Sequence, residues 1–470
     1  MCNMAACRRP PKIMTTPSVQ EIPYSADSEL LFARLRHLPG AVWLDSGKPR
    51  ALQGRFDIIS ALPQAGIRCD RGIVTVDHGK GRQSTAKGDP FALAWQLLTD
   101  QGLVGDAFSH LPFTGGLMGY FSYDLGERLL GVQRGQPGSG PELHLGWYGW
   151  GIVVNHQASR SWLVSHPRCD RDSLLQVRHL LAGAPPETAV DFALDSDFVP
   201  GIAKSDYLAA LERIHHYIRS GDCYQVNFAI RHLASYRGDP WHAYRHIRRV
   251  SPSPYSAYLN WDGRALLCCS PERFLKVSVG QVETKPIKGT IGRGRTLEED
   301  QDNAVALLNS SKDRAENLMI VDLLRNDLGR NCATGSVRVP KLFALESFAN
   351  VHHLVSTITG TLAPGRTPLD LLRDAFPGGS ITGAPKKRAV EIIASLETQP
   401  RGLYCGSIGY ISATGRMDTN IAIRTLEASS GKIQCWGGGG IVADSGAETE
   451  YQEARHKVRN LLEAVGSFRG

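Results

Sequence analysis

Short apolar segments bounded by glycine and proline are the feature that most constrains how this chain can fold. The 470 residues include 49 glycines and 26 prolines. They flank segments such as AVWL (41–44) and WGIVV (150–154), a pattern typical of β-strands. Two longer segments instead repeat apolar residues at helical spacing: one spans about 313–328, and the other opens at 445–448 with SGAE, a match to a capping box. Strands mixed with such helices predict a large α+β fold.

The organisation of the chain suggests two regions that belong to one fold. A small, polar, proline-containing stretch near 183–197 is the candidate boundary. We therefore predict an N-terminal region over 21–190 and a second region over 200–465. Residues 1–20 lack an apolar run resembling a signal sequence, and we expect them to form a disordered tail.

Composition and charge exclude several classes of function. Hydrophobic residues make up 42% of the chain and charged residues 21%, values that are ordinary for a globular protein. The net charge of +7 is spread over the chain rather than gathered in a stripe, so we expect no nucleic-acid partner. There is no run of 18 apolar residues, so we expect no membrane span. The 10 cysteines form no C-x-x-C pair, which favours reduced thiols in a cytoplasmic protein.

Two pairs of acidic residues are candidates for holding a divalent cation. Asp313 and Glu316 lie three positions apart on the first long helix, and Glu450 and Glu453 lie three apart on the second, with Lys457 following. Mg²⁺ takes one or two protein carboxylates together with water and substrate oxygens, which two facing helices could supply. The alternative is that both pairs are solvated faces of ordinary amphipathic helices.

Two glycine-rich segments could bind an anion through backbone N–H groups. They are FPGGSITGAPK (376–386) and GGGG (437–440), and neither matches a nucleotide-binding G-x-x-x-x-G-K-[ST] loop. Turns or β-bulges are the alternative explanation for such runs.

Four further side chains are candidates for chemistry on an anionic small molecule. Lys288, between apolar residues and a glycine, could be desolvated into an amine nucleophile, although most lysines are solvated. Glu272 precedes an arginine and could simply form a surface ion pair. Arg424, in an apolar strand-like run, could bind a carboxylate, and His353 could transfer a proton or be a satisfied core residue.

The same segments resemble, in order, those of the chorismate-utilising enzymes, a family that includes anthranilate, aminodeoxychorismate, isochorismate and salicylate synthases. The matching motifs are GDCYQVN (221–227), SPERF (270–274), DRAENLMIVDL (313–323), FPGGSITGAPK (376–386), IAIRT (421–425) and the final GGGIVADS with its following helix. The resemblance is dense over 200–465 and weaker before that. It implies an anthranilate synthase component I-like fold in which two large antiparallel β-sheets pack together, with helices outside and both regions interleaved.

The resemblance also implies how a site would be assembled. Mg²⁺ would be held chiefly by Glu316 and Glu453, with Asp313 and Glu450 acting through metal-bound water. The ring carboxylate of chorismate would meet the metal, Lys457 and the glycine segment, and its enolpyruvyl carboxylate would meet Arg424. The implied substrate contacts are Gln225, His353, Ser380, Thr382, Gly383, Tyr404, Gly406, Arg424, Gly438, Gly439, Gly440 and Lys457.

Within the family, the residue at position 288 separates the activities. This chain has PIKGT (286–290), as in the members that aminate chorismate at C4, whereas anthranilate synthases have alanine in place of the lysine. The resemblance therefore implies a covalent Lys288 intermediate, with Glu272 as general acid and base. The product would be 4-amino-4-deoxychorismate, a precursor of p-aminobenzoate and folate. Isochorismate and salicylate synthases carry a water-activating lysine where this chain has Gln225, which argues against water as the nucleophile.

Partners and alternatives follow from the same comparison. No G-x-C-x-G glutaminase elbow occurs, so we expect ammonia to come from a separate glutamine amidotransferase subunit, component II. The segment LDSG (44–47) resembles the family's tryptophan pocket but departs from the inhibitory LLES pattern, so Ser46 marks a candidate site for bound tryptophan. The alternatives are anthranilate synthase component I, a non-catalytic chorismate sensor, and a pyridoxal-phosphate enzyme that a visible chromophore would reveal.

Overall fold

The computed structural model of the chain describes residues 13–14, 16–51, 54–134, 136, 138, 140–184, 191–348 and 351–469. The helices are α1 Glu29–Leu35, α2 Pro90–Gln101, α3 Tyr123–Leu129, α4 Arg171–Ala182, α5 Lys204–Arg219, α6 Pro240–Val250, α7 Leu297–Asn309, α8 Ser311–Gly329, α9 Pro368–Ala375, α10 Lys386–Leu396 and α11 Ala447–Gly466, with a 3₁₀ turn at Gly379–Ile381. The strands are β1 Ile13–Met14, β2 Ser18–Ile22, β3 Val42–Asp45, β4 Phe56–Ser60, β5 Ala65–Asp70, β6 Ile73–Asp77, β7 Gln83–Ala86, β8 Leu103–Val104, β9 Gly116–Phe121, β10 Leu143–Tyr148, β11 Trp150–Asn155, β12 Arg160–Ser165, β13 Ala193–Leu194, β14 Val199–Pro200, β15 Gln225–Arg237, β16 Tyr255–Trp261, β17 Arg264–Ser270, β18 Arg273–Ser278, β19 Gln281–Thr284, β20 Ile287–Gly292, β21 Arg338–Ser347, β22 Val351–Thr361, β23 Gly383–Ala384, β24 Ser407–Ser412, β25 Met417–Asn420, β26 Thr425–Ser429 and β27 Lys432–Ile441.

Most of these strands form two large antiparallel sheets. Sheet I has 12 strands in the order β20-β22-β19-β18-β25-β24-β9-β10-β5-β6-β7, with β21 also paired to β22. Sheet II has 13 strands in the order β13-β15-β27-β26-β17-β16-β3-β4-β11-β12-β2, with β14 and β23 also paired to β15. The predicted α+β class with two large antiparallel sheets is confirmed.

The core lies in three layers around these sheets. One cluster of fully buried side chains, including Val42 of β3 and Met118 of β9, draws on both sheets and fills the space between them. A second cluster joins sheet II to α1, α6 and α11, and a third joins sheet I to α2, α8 and α9. The helices therefore cover the outer faces, because each has one apolar face to bury.

Each half of the chain supplies a contiguous block of both sheets. In sheet II the N-terminal block meets the C-terminal block where β3 pairs with β16, and in sheet I the two blocks meet where β9 pairs with β24. The interior strand β24 is buried along its whole length, as expected for a strand covered on both faces. The halves thus share two sheets and one interior core.

Two sequence expectations need correction. The predicted disordered tail extends to residue 20, but Ser18–Ile22 is an edge strand that pairs antiparallel with β12; residues 1–12 and 15, and the 185–190 part of the predicted boundary, lie outside the described residues. The predicted capping box at 445–448 is absent. Helix α11 begins after Gly446 without a side-chain cap, because the Ser445 hydroxyl donates to Glu450 instead.

Among the described helices, none combines the length and apolar character that a membrane span requires.

We predict that the C-terminal half cannot fold without the N-terminal half. A chain of residues 191–469 exposes the paired edges of β16 and β24 and one side of the core between the sheets, which favours aggregation. Size-exclusion chromatography and thermal melting by circular dichroism should show aggregates and no cooperative transition. A chain beginning at residue 16 is the matched control and should melt like the full-length protein. A monomeric 191–469 fragment with a cooperative melt would contradict this prediction.

Candidate active site

Lys288 lies at an irregularity in the edge strand of sheet I. Along β20 and β22, Ile287 pairs with Val355 and Thr290 pairs with His353. Three steps on β20 therefore face two steps on β22, which is the signature of a β-bulge. Gly289 within the bulge has φ +86°, and a Cβ there would lie 2.9 Å from the Cβ of Asp313. The bulge thus requires glycine after the lysine, and bulges of this kind redirect side chains near active sites.

The amine of Lys288 faces the glycine segment of sheet II. A Cβ on Gly440 would lie 3.3 Å from the Lys288 Nζ atom and 2.6 Å from the Gln225 amide nitrogen, so glycine gives both side chains room at this position. Burial lowers the pKa of Lys288, and the positive charge of Lys457 lowers it further, while Glu316 and Glu272 act in the opposite direction. The balance favours a neutral amine more than at an ordinary lysine, which is the form that can attack carbon.

Glu272 is the acid next to this amine. Its side chain is buried, and burial raises its pKa to about 7. A hydrogen bond of 2.8 Å from the Ser380 hydroxyl to Oε1 and the charge of Lys288 partly offset that rise. A carboxyl group with a pKa near neutrality can both donate and accept a proton at physiological pH.

The glycine segment of β27 presents an open backbone edge beside the charged face of α11. Strand β15 pairs with it through Gly438, Gly439 and Gly440, whereas the pairing of β26 with β27 ends at Cys435 in the described residues. A Cβ on Gly439 would lie 3.1 Å from a Glu450 oxygen and 3.5 Å from the Nζ atom of Lys457. The absence of side chains therefore lets the charged face of α11 approach the strand.

The four predicted metal-binding carboxylates come from α8 and α11. Glu453 accepts from Lys457 at 2.7 Å, and Glu450 accepts from the Ser445 hydroxyl at 2.6 Å. Burial raises the pKa of Glu316, and the charges of Asp313 and Glu453 raise it further.

Within the described parts of the chain, no three His, Cys, Asp or Glu side chains are grouped closely enough to ligate a metal together. The donor set nevertheless fits Mg²⁺, which needs only one or two protein carboxylates. Burial is the main cause of the raised pKa of Glu316, and the charges of Lys288 and Lys312 act against it. A cation bound beside this carboxylate would favour its charged form.

Arg424 is a cation in the same region. Its backbone has φ +50°, and burial lowers the pKa of its guanidinium. In the part of the chain that the structure describes, its guanidinium has neither an ion pair nor a side-chain hydrogen bond. Its charge is felt by His353, which places the two groups near each other. Such an arginine is suited to a ligand carboxylate.

Three of the predicted substrate residues, Tyr404, Gly406 and Thr382, are held in place by close contacts with their neighbours. The Tyr404 ring stacks on Trp436 with centroids 5.8 Å apart and an interplanar angle of 8°. A Cβ on Gly406 would lie 2.2 Å from the Phe121 carbonyl oxygen, so only glycine fits there. Thr382 is buried, and its hydroxyl donates to the Gly378 carbonyl at 3.0 Å, so it stiffens the loop that carries Ser380.

Gln225 and His353 differ in how their polar atoms are satisfied. The Gln225 amide is buried, and neither its nitrogen nor its oxygen has a hydrogen-bond partner among the described residues, although a Cβ on Gly440 would come within 2.6 Å of it. Gly383 lies in β23, which pairs with the start of β15, where Gln225 lies. His353 hydrogen-bonds through Nδ1 to the Thr290 hydroxyl at 2.8 Å, and burial lowers its pKa to about 4. It is therefore neutral at pH 7.

Ser46 is the predicted residue that lies apart from the others. It lines a separate cavity of about 290 Å³ together with residues that include His110, Tyr255, Arg273 and Asn420. This cavity does not include Lys288, Glu272 or the metal-site carboxylates.

Neither the contact made by Thr290 nor the register shift at Lys288 was predicted from the sequence. Thr290 directly follows the glycine of PIKGT, so the motif contained the residue, but its contact with His353 depends on the pairing of β20 with β22. A glycine next to a lysine in a strand was the available signal for the bulge.

Comparison with known proteins accounts for the arrangement. The family model described as "chorismate binding enzyme" matches residues 57–463. Aminodeoxychorismate synthase component 1 of Klebsiella aerogenes is 44% identical over 457 residues, covering 97% of this chain and 100% of that protein. The protein of the same name from Escherichia coli strain K12 is 44% identical over 454 residues, covering 96% of this chain and 99% of its own length.

A solved structure agrees with the sequence matches. The crystal structure of anthranilate synthase component I from Streptococcus pneumoniae TIGR4 superposes with a TM-score of 0.76 at 32% identity, covering 87% of this chain and 93% of that one. The anthranilate synthase component I-like fold and the family resemblance drawn from the motifs are both confirmed. The chain belongs to the chorismate binding enzyme family.

Proposed function

We propose that this protein aminates chorismate at C4 to give 4-amino-4-deoxychorismate. The observation that carries the proposal is that Lys288, a half-buried lysine whose pKa is lowered, lies near Glu272, a buried acid with a pKa of about 7. The names of the relatives at 44% identity support the same activity. Arg424, which has no ion pair among the described residues, and the open glycine edge of β27 supply two places for the two carboxylates of the substrate.

The first displacement uses both Lys288 and Glu272. The neutral Lys288 amine attacks ring carbon C2, the double bond shifts, and the C4 hydroxyl leaves as water after receiving a proton from Glu272. Lys288 is then bound to C2 as a secondary ammonium group, and Glu272 is a carboxylate.

The second displacement regenerates the enzyme. Ammonia attacks C4, the double bond shifts back, and the C2–N bond breaks so that Lys288 departs as a neutral amine. The new ammonium group at C4 can give one proton to the Glu272 carboxylate, which restores the starting acid. Two displacements return the amine to the carbon that lost the hydroxyl, which a single attack at C2 cannot do.

We further propose that Glu316 and Glu453 hold Mg²⁺, with Asp313 and Glu450 acting through water. Mg²⁺ bound there would withdraw negative charge from the ring carboxylate. Support comes from the donor chemistry of the two helices, which suits a hard cation, and from the raised pKa of Glu316 among its acidic neighbours.

Ammonia is proposed to come from a separate glutamine amidotransferase subunit, with free ammonium as a substitute. The designation "component 1" in the names of the relatives supports a second component. The product keeps its enolpyruvyl group, so a separate lyase is expected to form p-aminobenzoate for folate synthesis. Anthranilate synthase is the second candidate, favoured by the structural match to an enzyme of that name.

We predict that purified protein with chorismate, Mg²⁺ and ammonium forms a product in which amine replaces hydroxyl, as detected by mass spectrometry. Lys288→Ala should lower turnover by at least about a thousandfold, because the nucleophile is lost. Lys285→Ala is the matched control: that lysine pairs with Glu346 at 2.9 Å, and its loss should leave turnover unchanged. Without ammonia, the wild-type chain should gain the mass of chorismate minus water on Lys288.

The other outcomes reject the proposal in distinct ways. Fluorescent anthranilate as product would favour anthranilate synthase. Full activity of Lys288→Ala would exclude the covalent route, and tight binding of chorismate without turnover would favour a sensor.

The pH profile should depend on Ser380. Only protonated Glu272 can donate to the leaving hydroxyl, and its protonated fraction falls as pH rises through its pKa of about 7. Because the Ser380 hydroxyl lowers that pKa, Ser380→Ala should move the alkaline limb of kcat/KM to higher pH. Ser395→Ala removes a hydroxyl from α10 that bonds the Ile392 carbonyl, and should leave the profile unchanged. An unmoved or acid-shifted limb in Ser380→Ala would contradict this role of the serine.

We also propose that the cavity at Ser46 binds tryptophan. Its volume of about 290 Å³ suits one amino acid, and the Ser46 hydroxyl is buried without a hydrogen-bond partner among the described residues. Tryptophan at millimolar concentration should raise the melting temperature by a few degrees, since a ligand that binds only the folded state stabilises it. Alanine, the control amino acid, should not. Equal melting temperatures with both would reject the proposal.

A further inference from the structure

We propose that Arg401 is the positioning residue of the chorismate pocket, fixing the plane of the Tyr404 ring and the backbone of the loop at 380–383. This inference rests on the proposed substrate site and concerns a residue behind it rather than in it. It explains why a full positive charge lies in the interior of the protein beside that site.

The guanidinium of Arg401 is fully buried and donates hydrogen bonds to three different segments of the chain. Its Nε and Nη2 atoms donate to the two Glu397 carboxylate oxygens at 2.9 and 2.7 Å. Nη2 also donates to the Asn227 carbonyl at 2.8 Å, and Nη1 donates to the Ile381 carbonyl at 3.2 Å. The relative exposure of Arg401 is 0%, so none of these bonds is shared with solvent.

The flat faces of the same group meet aromatic rings. The Arg401 Cζ atom lies 4.6 Å from the centroid of the Tyr123 ring and 5.6 Å from that of the Tyr404 ring. Tyr404 in turn stacks on Trp436. A cation against an aromatic ring contributes more when it is desolvated, so the contact holds Tyr404 in a defined orientation.

Three of the segments that contact Arg401 carry predicted substrate contacts. Asn227 lies two residues after Gln225, and its backbone N–H donates to the Thr382 carbonyl at 2.8 Å. Ile381 lies between Ser380 and Thr382, so its carbonyl fixes the loop whose serine bonds Glu272. One side chain therefore links the start of β15, the 380–383 loop and the Tyr404 segment.

A second ion pair anchors this arrangement to the N-terminal half of the chain. Arg134 donates through Nε to both Glu127 oxygens at 2.9 Å, and through Nη1 to the carbonyls of Glu397 and Gln399 at 3.0 Å. The side chains of Glu127, Arg134, Glu397 and Arg401 are 4%, 8%, 2% and 0% exposed. The two arginines balance the two glutamates, which makes their burial tolerable. Removing any one of these four side chains would leave a buried charge uncompensated.

Lysine cannot replace this arginine. One ammonium group has no planar face to lie between two rings, and it cannot reach the Glu397 carboxylate and two carbonyls in the fork geometry of a guanidinium. Arg401→Lys therefore keeps the positive charge but loses the forked hydrogen bonds and the ring contacts. It tests the positioning role separately from the charge.

The test compares Arg401→Lys with Arg248→Lys in the full-length protein. Arg248 is the matched control: it is 1% exposed, it pairs with Asp45, and its guanidinium lies 4.7 Å from the Trp43 ring, but it contacts none of the predicted chorismate residues. Chorismate affinity is measured by isothermal titration calorimetry with Mg²⁺ and without ammonium, alongside KM, kcat and the melting temperature. We expect Arg401→Lys to weaken chorismate binding and raise KM at least about tenfold, because several charge-assisted bonds are lost. Arg248→Lys should lower the melting temperature by a similar amount and leave the chorismate affinity and KM unchanged.

Two results would overturn the inference: binding in Arg401→Lys within about twofold of the wild type, or an equal loss of binding in Arg248→Lys, which would indicate general destabilisation. If Arg401→Lys does not fold, Glu397→Gln replaces it, because this change keeps the shape of residue 397 and weakens its ion pair with Arg401. Unchanged chorismate affinity in Glu397→Gln would also overturn the inference. The proposed amination can fail separately, since wild-type protein that binds chorismate without aminating it still allows the comparison.

Discussion

The partial desolvation of a lysine and a glutamate, which disfavours the charged form of each, is the constraint on which the candidate site depends. Lys288 and Glu272 lose water together, and burial moves the pKa of the base downward and that of the acid upward. Neither residue could keep this state at an open surface, where solvent restores ordinary values. The glycines of β27 permit it, because a side chain at position 440 would occupy the space beside the amine.

The two residues lie where a strand of sheet I approaches a strand of sheet II, and both sheets are built from both halves of the chain. Lys288 lies on an edge strand of sheet I, whereas the glycine segment lies within sheet II and α11 covers it. Glu272 lies between β17 of one sheet and β18 of the other. The site is therefore a property of the whole assembly, and the ion pairs from Glu127 to Arg401 extend it into the N-terminal half.

The class of fold was predicted correctly from the sequence, and most residues of the candidate site were proposed from it, because these depend on local spacing or on contiguous motifs. The acids of α8 and α11 follow from helical periodicity, and Arg424 and Lys288 lie inside recognisable segments. Contacts between distant segments could not be predicted in this way. Arg401 touches Tyr123, 278 positions away by numbering, and the bulge at Gly289 depends on strand register. The capping box failed for the same reason, since Ser445 bonds a buried glutamate instead of the helix end.

The bulge has a consequence for how such an enzyme could change its chemistry. Residues 288 and 289 have no paired position on β22, and pairing resumes at Thr290. A side chain at an unpaired position contributes little to the ladder of the sheet. The residue at position 288 can therefore be exchanged without disturbing the register of the strand or the core beneath it. The reactivity of the site and the stability of its scaffold are to that extent separable, so one backbone can serve several reactions by altering a single amino acid.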